Sequence, residues 1–255
     1  MKIRSTVFLS IFLLVQPLKS FCWGPDGHKD IGALAYQYIN QRTKDSVQFY
    51  LGNVSLADAG LWMDEMRKDH SYDYMKPWHY IAIEKGQGYK PNKEENVINE
   101  LNKRMEHLRH RNLYSKEQVA VDLKILIHLT EDLHMPLHVG YPSDTGGNAI
   151  HITFMDKPTT LHWAWDNDIV LQQHINVDTL KSVIASFSKQ ELAEKSKTDI
   201  LVWMNESRSY LPKVYDFKGD SIGVDYADKN ASIIKLRLAL AGLRLSNLLN
   251  ELFRN

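Results

Sequence analysis

Apolar residues recur at intervals of three and four through most of the chain. Ile31, Leu34, Ala35 and Tyr38 share one face of a helix predicted over 27–41. The same spacing predicts helices over 56–68, 94–112 and 116–134, with Pro136 closing the last of these. It returns at 161–174, 177–186 and 189–210. Ile233, Leu236, Leu240, Leu243 and Leu248 then mark one long amphipathic helix over 226–253. Extended segments are few and short: "WHYIAI" (78–83), just after Pro77, and "AIHITF" (149–154). Gly- and Pro-bearing stretches at 84–92, 140–148 and 217–223 read as loops. The expected fold is all-α, a single mostly helical domain with a short strand or hairpin. There is no internal repeat and no linker to divide it.

The first 22 residues follow a different pattern. Lys2 and Arg4 precede an apolar run from Val7 to Val15 broken only by Ser10, and Pro17 ends it. Ser20 and Cys22 are small residues three and one before Trp23, the layout of a secretory signal cut at Cys22–Trp23. The run is too short to span a bilayer, so a membrane anchor is not expected. Export to a periplasm or the outside is expected, with 23–255 as the mature domain. Removal of 1–22 takes Lys2, Arg4 and Lys19 and no acid, leaving a net charge of −3 against 0 for the whole chain. It also takes the only cysteine, Cys22, so stability must come from packing or metal rather than disulfides. Charge this balanced argues for no polyanionic partner in bulk, and any nucleic-acid binding has to be local. Asn53, Asn205 and Asn230 stand in N-x-S sequons, which matter only in a glycosylating host.

Candidate chemistry concentrates in two places. In "IHLTEDLHMPLH" (127–138), His128 and Asp132 are four apart and share a helix face, and His138 follows Pro136. In "LHWAWD" (161–166), His162 and Asp166 repeat the spacing. Either pair alone reads as a hydrogen bond or surface ion pair. Together, with His138, they form a donor set that suits zinc. Taken alone, His79 beside aromatics is better read as a core histidine, and Asp64 as a helix surface charge. His70, His107, His110, His134, His151 and His174 are left as surface or supporting residues.

At this point the chain resembles the zinc-dependent, single-strand-specific nucleases of the S1/P1 family. The matching stretches are "WGPDGH" (23–28), "LWMDEMR" (61–67), "PWHYI" (77–81), "HLTEDLHMPLHVGYPSDTGGNAI" (128–150) and "LHWAWD" (161–166). The late helix "ALAGLRLSNLLNELF" (239–253) is also similar, so the resemblance runs across the whole mature chain. It implies an all-helical domain with three zinc ions in a cleft. Asp64, His79, His128 and Asp132 would hold one ion, and His138, His162 and Asp166 a second. The third would be held by His28, by Asp132 as a bridge, and by the free amine and carbonyl of Trp23.

The implied activity is hydrolysis of single-stranded DNA and RNA to 5′-phosphate products, with 3′-nucleotidase activity, by attack of a zinc-activated water on phosphorus. Asp64 would orient or deprotonate that water, and Arg67 would stabilise the transition state. Tyr80, Gly146 and Asn148 map to the base pocket. Ala82 departs from the acidic residue of the fungal enzymes, and Met135 from the usual Gln. No stable protein partner is implied, and a monomer is expected. A zinc phospholipase C shares such a framework but places its first His further from the Trp and uses Glu where Asp166 stands. A non-catalytic helical protein stapled by zinc would have no need of Arg67.

Overall fold

The computed structural model describes residues 23–254, so the secretory-signal reading of 1–22 lies outside the described residues. Helices dominate. Pro25 opens α1 (Pro25–Tyr38), where its missing N–H costs nothing. The predicted helix 27–41 thus starts earlier and stops sooner. Asn40 then accepts from Thr43 N and starts a separate helix, α2 (Gln41–Leu51). The predicted helix 56–68 is two pieces, α3 (Leu56–Ala59) and α4 (Trp62–Met66), broken at Gly60. A 3₁₀ segment, His70–His79, runs through Pro77. The chain leaves it in extended form, with Ile81 N donating to His138 O (2.9 Å) and Ile83 N to Gly140 O (3.1 Å).

α5 (Val97–Arg109) and α6 (Lys116–Asp132) match the periodicity closely and pack on each other. Ser115 and Gln118 form a reciprocal capping box at the start of α6. β1 (His151–Phe154) pairs antiparallel with β2 (Lys157–Thr160) across a turn in which Met155 and Asp156 both take positive φ. This is the hairpin form of the expected strand or hairpin, with a turn that contains no Gly. β3 (Ser221–Ile222), inside the segment read as a loop, adds parallel to β1.

The predicted helix 161–174 is α7 (Leu161–Trp163), a π-helical turn at Ala164–Asp168 and α8 (Ile169–Gln172). α9 (Val177–Ala185) follows. The region 189–210 splits into α10 (Lys189–Lys195) and α11 (Ile200–Ser209), because Asp199 accepts from Leu201 N and Val202 N and starts a new helix. A short α12 (Leu211–Val214) leads to α13 (Val224–Leu252).

α13 is the spine. Ala227, Ile234, Leu238, Leu245 and Leu249 are buried along it, and α1, α6 and α9 pack around it. His134 belongs to this framework. It is buried, its backbone carbonyl accepts from Arg237 Nε (3.1 Å), and its Nε2 lies 3.2 Å from an Arg244 nitrogen, with Glu206 paired to both arginines.

Candidate metal centre

The C-terminal turn of α6 delivers His128, Glu131 and Asp132 to the interior, all fully buried. Other elements converge on it: α1 brings His28, α4 brings Asp64 and the end of the 3₁₀ segment brings His79. The 3₁₀ turn Pro136–Val139 brings His138, α7 brings His162, and the π turn brings Asp166. Three groups of facing ligand atoms result: His28, Asp64 and His128; His79, His128 and Asp132; His138, His162 and Asp166. Atoms within each group lie within 4.8 Å of one another, and the first two groups share His128. Eight of the nine ligand positions named from sequence are therefore brought together.

Asp132 sits at the middle. Its Oδ2 is 3.0 Å from His79 Nδ1, 3.1 Å from His128 Nε2 and 3.7 Å from His138 Nδ1, and its Oδ1 is 3.7 Å from His28 Nε2. Within the third group His162 Nε2 lies 3.0 Å from Asp166 Oδ2, and His138 Nε2 lies 4.0 Å from Asp166 Oδ1. The ninth position, Trp23, is fully buried, with its indole N–H donating to Glu131 O at 3.1 Å. Gly24 N next to it donates to Asp166 O at 2.8 Å, tying the start of the domain to the third group.

The rings are aimed. His128 Nδ1 donates to Gly60 O (2.6 Å), His138 Nδ1 to His79 O (2.8 Å) and His162 Nδ1 to Gly146 O (2.6 Å). Each bond occupies Nδ1 and turns Nε2 inward, the outer arrangement that metal-bound histidines use. Gly146 can serve because it sits at φ +59°, and a Cβ there would be 2.5 Å from Leu137 O.

Charge at the centre is strained without a cation. Burial, and then the neighbouring His128, hold His28 down at about 3, and burial likewise takes His138 to about 4. Burial opposes the His128 imidazolium, yet Asp132, Asp64 and the bond to Gly60 together outweigh it and raise His128 to about 9. Burial pushes Asp166 up to about 7. Burial also acts against the Asp132 carboxylate, but His128 and His138 hold it well below the usual range.

Among the described residues, His28 Nε2, Asp132 Oδ1, His138 Nε2 and Asp166 Oδ1 are buried without a hydrogen-bond partner. The two His–Asp separations that join them, 3.7 and 4.0 Å, are too long for hydrogen bonds. They approach the spacing of about 3.4 Å expected for two ligands of one tetrahedral zinc. Neutral imidazoles and carboxylates in this arrangement fit divalent metal ions.

Beside the groups opens a cavity of about 330 Å³. Arg67, Tyr80, Ala82, Gly146, Asn148 and His162 line it, so the residues mapped to phosphate and base share one cleft with the third group. Arg67 reaches Asp64 Oδ1 at 3.4 Å, and Tyr80 is half exposed.

The family model for S1/P1 nuclease matches residues 23–254. The chain belongs to the S1/P1 nuclease family. Endonuclease 4 of Arabidopsis thaliana is 25% identical over 287 residues, covering 96% of this chain and 94% of that protein. Nuclease S1 of Aspergillus oryzae is 22% identical, covering 89% and 90%. Nuclease P1 of Penicillium citrinum is 23% identical, covering 90% and 97%. The S1/P1 membership makes this protein a hydrolytic nuclease acting on nucleic acids. No helix among the described residues is long and apolar enough to cross a membrane.

Two residues of the site escaped the sequence reading. Lys76 lines the cavity, held by Asp73 at 2.8 Å. It stands three before His79, and in the 3₁₀ helix that only the structure shows, residues three apart are eclipsed. Glu131 contacts His28 with Oε2 2.5 Å from Nδ1. It stands three after His128, on the same face of α6.

Proposed function

We propose that this protein is an exported, zinc-dependent endonuclease for single-stranded DNA and RNA that also removes the phosphate from 3′-nucleotides and leaves 5′-phosphate ends. The observation that carries the reading is the convergence of three His/Asp groups at one end of a cleft lined by Arg67, Tyr80 and Asn148. Three zinc ions would be held by Asp64, His79, His128 and Asp132; by His138, His162 and Asp166; and by His28, Asp132 and Trp23. Bound zinc would set positive charge against the phosphate and lower the pKa of water there toward neutrality.

The chain's own residues do the rest. Asp64 orients the attacking water and accepts its proton. Arg67 donates to the phosphate oxygens as charge builds on them. Tyr80 offers its face to an unstacked base, and a paired base held in a duplex cannot reach it, which selects single strands. Ala82 gives the base no acidic partner while Lys76 adds a cation nearby, so a preference built on a carboxylate is not expected.

The start of the family match at Trp23 supports cleavage at Cys22–Trp23, export and release of the Trp23 amine as a ligand. The test is incubation of the mature protein with single- and double-stranded DNA and RNA and with 3′-AMP. Cleavage of single strands to 5′-phosphate ends, abolished by chelation and restored by zinc, is expected. Inert zinc-loaded protein at acid and neutral pH, or release of diacylglycerol from phosphatidylcholine instead, overturns the proposal.

A further inference from the structure

We propose that Glu131 is a positioning residue that orients His28 for metal and sets the affinity of the metal position His28 helps to form. The inference rests on the metal-dependent reading above and concerns a residue that is not itself placed among the ligands.

Glu131 is fully buried on the last turn of α6. A buried carboxylate is costly unless something nearby uses its charge. Among the described residues, Glu131 Oε1 has no hydrogen-bond partner, and Oε2 meets the Nδ1 of His28 at 2.5 Å. The opposite nitrogen of that ring, Nε2, faces Asp132 Oδ1 at 3.7 Å. The His28 ring is also stacked on His128, with centroids 4.5 Å apart and planes within 14°. The imidazole is therefore fixed at its Nδ1 edge and on one face, with Nε2 left facing Asp132.

His128, His138 and His162 direct Nδ1 at backbone carbonyls, whereas His28 directs it at a carboxylate. With a cation in place, an ionised carboxylate there would make the ring a stronger donor and place negative charge just outside the metal position. The same residue anchors Trp23, whose indole N–H donates to its carbonyl at 3.1 Å. Space for the side chain comes from Gly60, where a Cβ would lie 2.6 Å from Oε2. Glu131 thus holds both N-terminal members of the proposed third site while its neighbour Asp132 bridges.

The test compares mature wild-type protein with Glu131→Gln and Glu131→Ala. Zinc is titrated into each against a metal buffer and bound metal is counted by mass spectrometry. Melting of the fully chelated proteins is followed in parallel. Gln keeps an acceptor at Nδ1 and loses the charge, so affinity at one position should weaken about tenfold; Ala loses both and should weaken it up to about 100-fold. The remaining zinc should bind as in wild type, and the chelated Gln variant should melt no lower than chelated wild type. Equal zinc affinity in all three proteins overturns the inference alone. So does a chelated Gln variant that melts well below wild type, because that pattern marks a packing role. A wild type that binds no zinc overturns the functional reading as well.

Discussion

In the proposed reaction Arg67 and Asp64 divide the chemistry at the level of single side chains. They are one helical turn apart, 3.4 Å at closest approach, and Arg67 also reaches the cavity. On that proposal Arg67→Ala removes a donor to the phosphate and none of the candidate metal ligands. It should lower kcat by about 100-fold with zinc content unchanged, as read by single-strand cleavage and metal analysis. His162→Ala should instead lose zinc and activity together, because it removes one of three ligands in its group. At this scale the sequence was most legible where both partners lie on one helical stretch. His128 with Asp132 and His162 with Asp166 are each four residues apart and meet at 3.1 and 3.0 Å. Glu131 was illegible because its meaning depends on His28, 103 residues away, and no local pattern reports that contact.

Between residue and fold, the elements that matter most are the irregular ones. The break at Gly60 frees a carbonyl for His128, the 3₁₀ segment turns Lys76 and His79 to one side, and the π turn carries Asp166. Gly146 shows how tightly such a piece is specified. Gly146→Ala puts a Cβ against the Leu137 carbonyl at positive φ, so it should destabilise the protein and weaken zinc held through His162, both measurable by melting with and without metal. Regular elements tolerate more. Ser115→Ala removes half of the α6 capping box and should cost about 1 kcal/mol in chemical denaturation while leaving activity intact. Long helices such as α6 and α13 followed from periodicity. The split at Gly60 did not, because apolar spacing continues across it through Leu61 and Trp62; at Ser196–Asp199 the apolar spacing lapses between Ala193 and Ile200 and the Asp199 cap starts the next helix.

Across the whole molecule, the proposed metal would link protons and stability. Five buried histidines and three aspartates face one another, so exhaustive chelation should lower the melting temperature as well as abolish activity. In the metal-free protein His128 is raised to about 9 and Asp166 to about 7, so at neutral pH both still carry protons in part or in full. Zinc held by these residues, as proposed, would displace them. Apparent affinity should therefore fall as pH falls below 9, by about tenfold per unit for each proton displaced, and zinc addition at pH 7 in weak buffer should acidify the solution. Of the three sequons, Asn53 and Asn205 are exposed, but Asn230 is buried in α13, with its amide donating to Tyr226 O at 2.9 Å, and is closed to modification in the folded state.

By itself the sequence determined the helical class, because apolar periodicity is a local property of the chain. It also determined the two His-x₃-Asp pairs, because four residues on a helix always return to one face. Which histidine nitrogen faces inward, that His128 serves two groups, that Glu131 grips His28, and that His134 belongs to an arginine network were decided only by tertiary structure. Each depends on atoms brought together from distant segments, residues 28 with 131, 60 with 128, 79 with 138 and 134 with 244, by packing around α6 and α13.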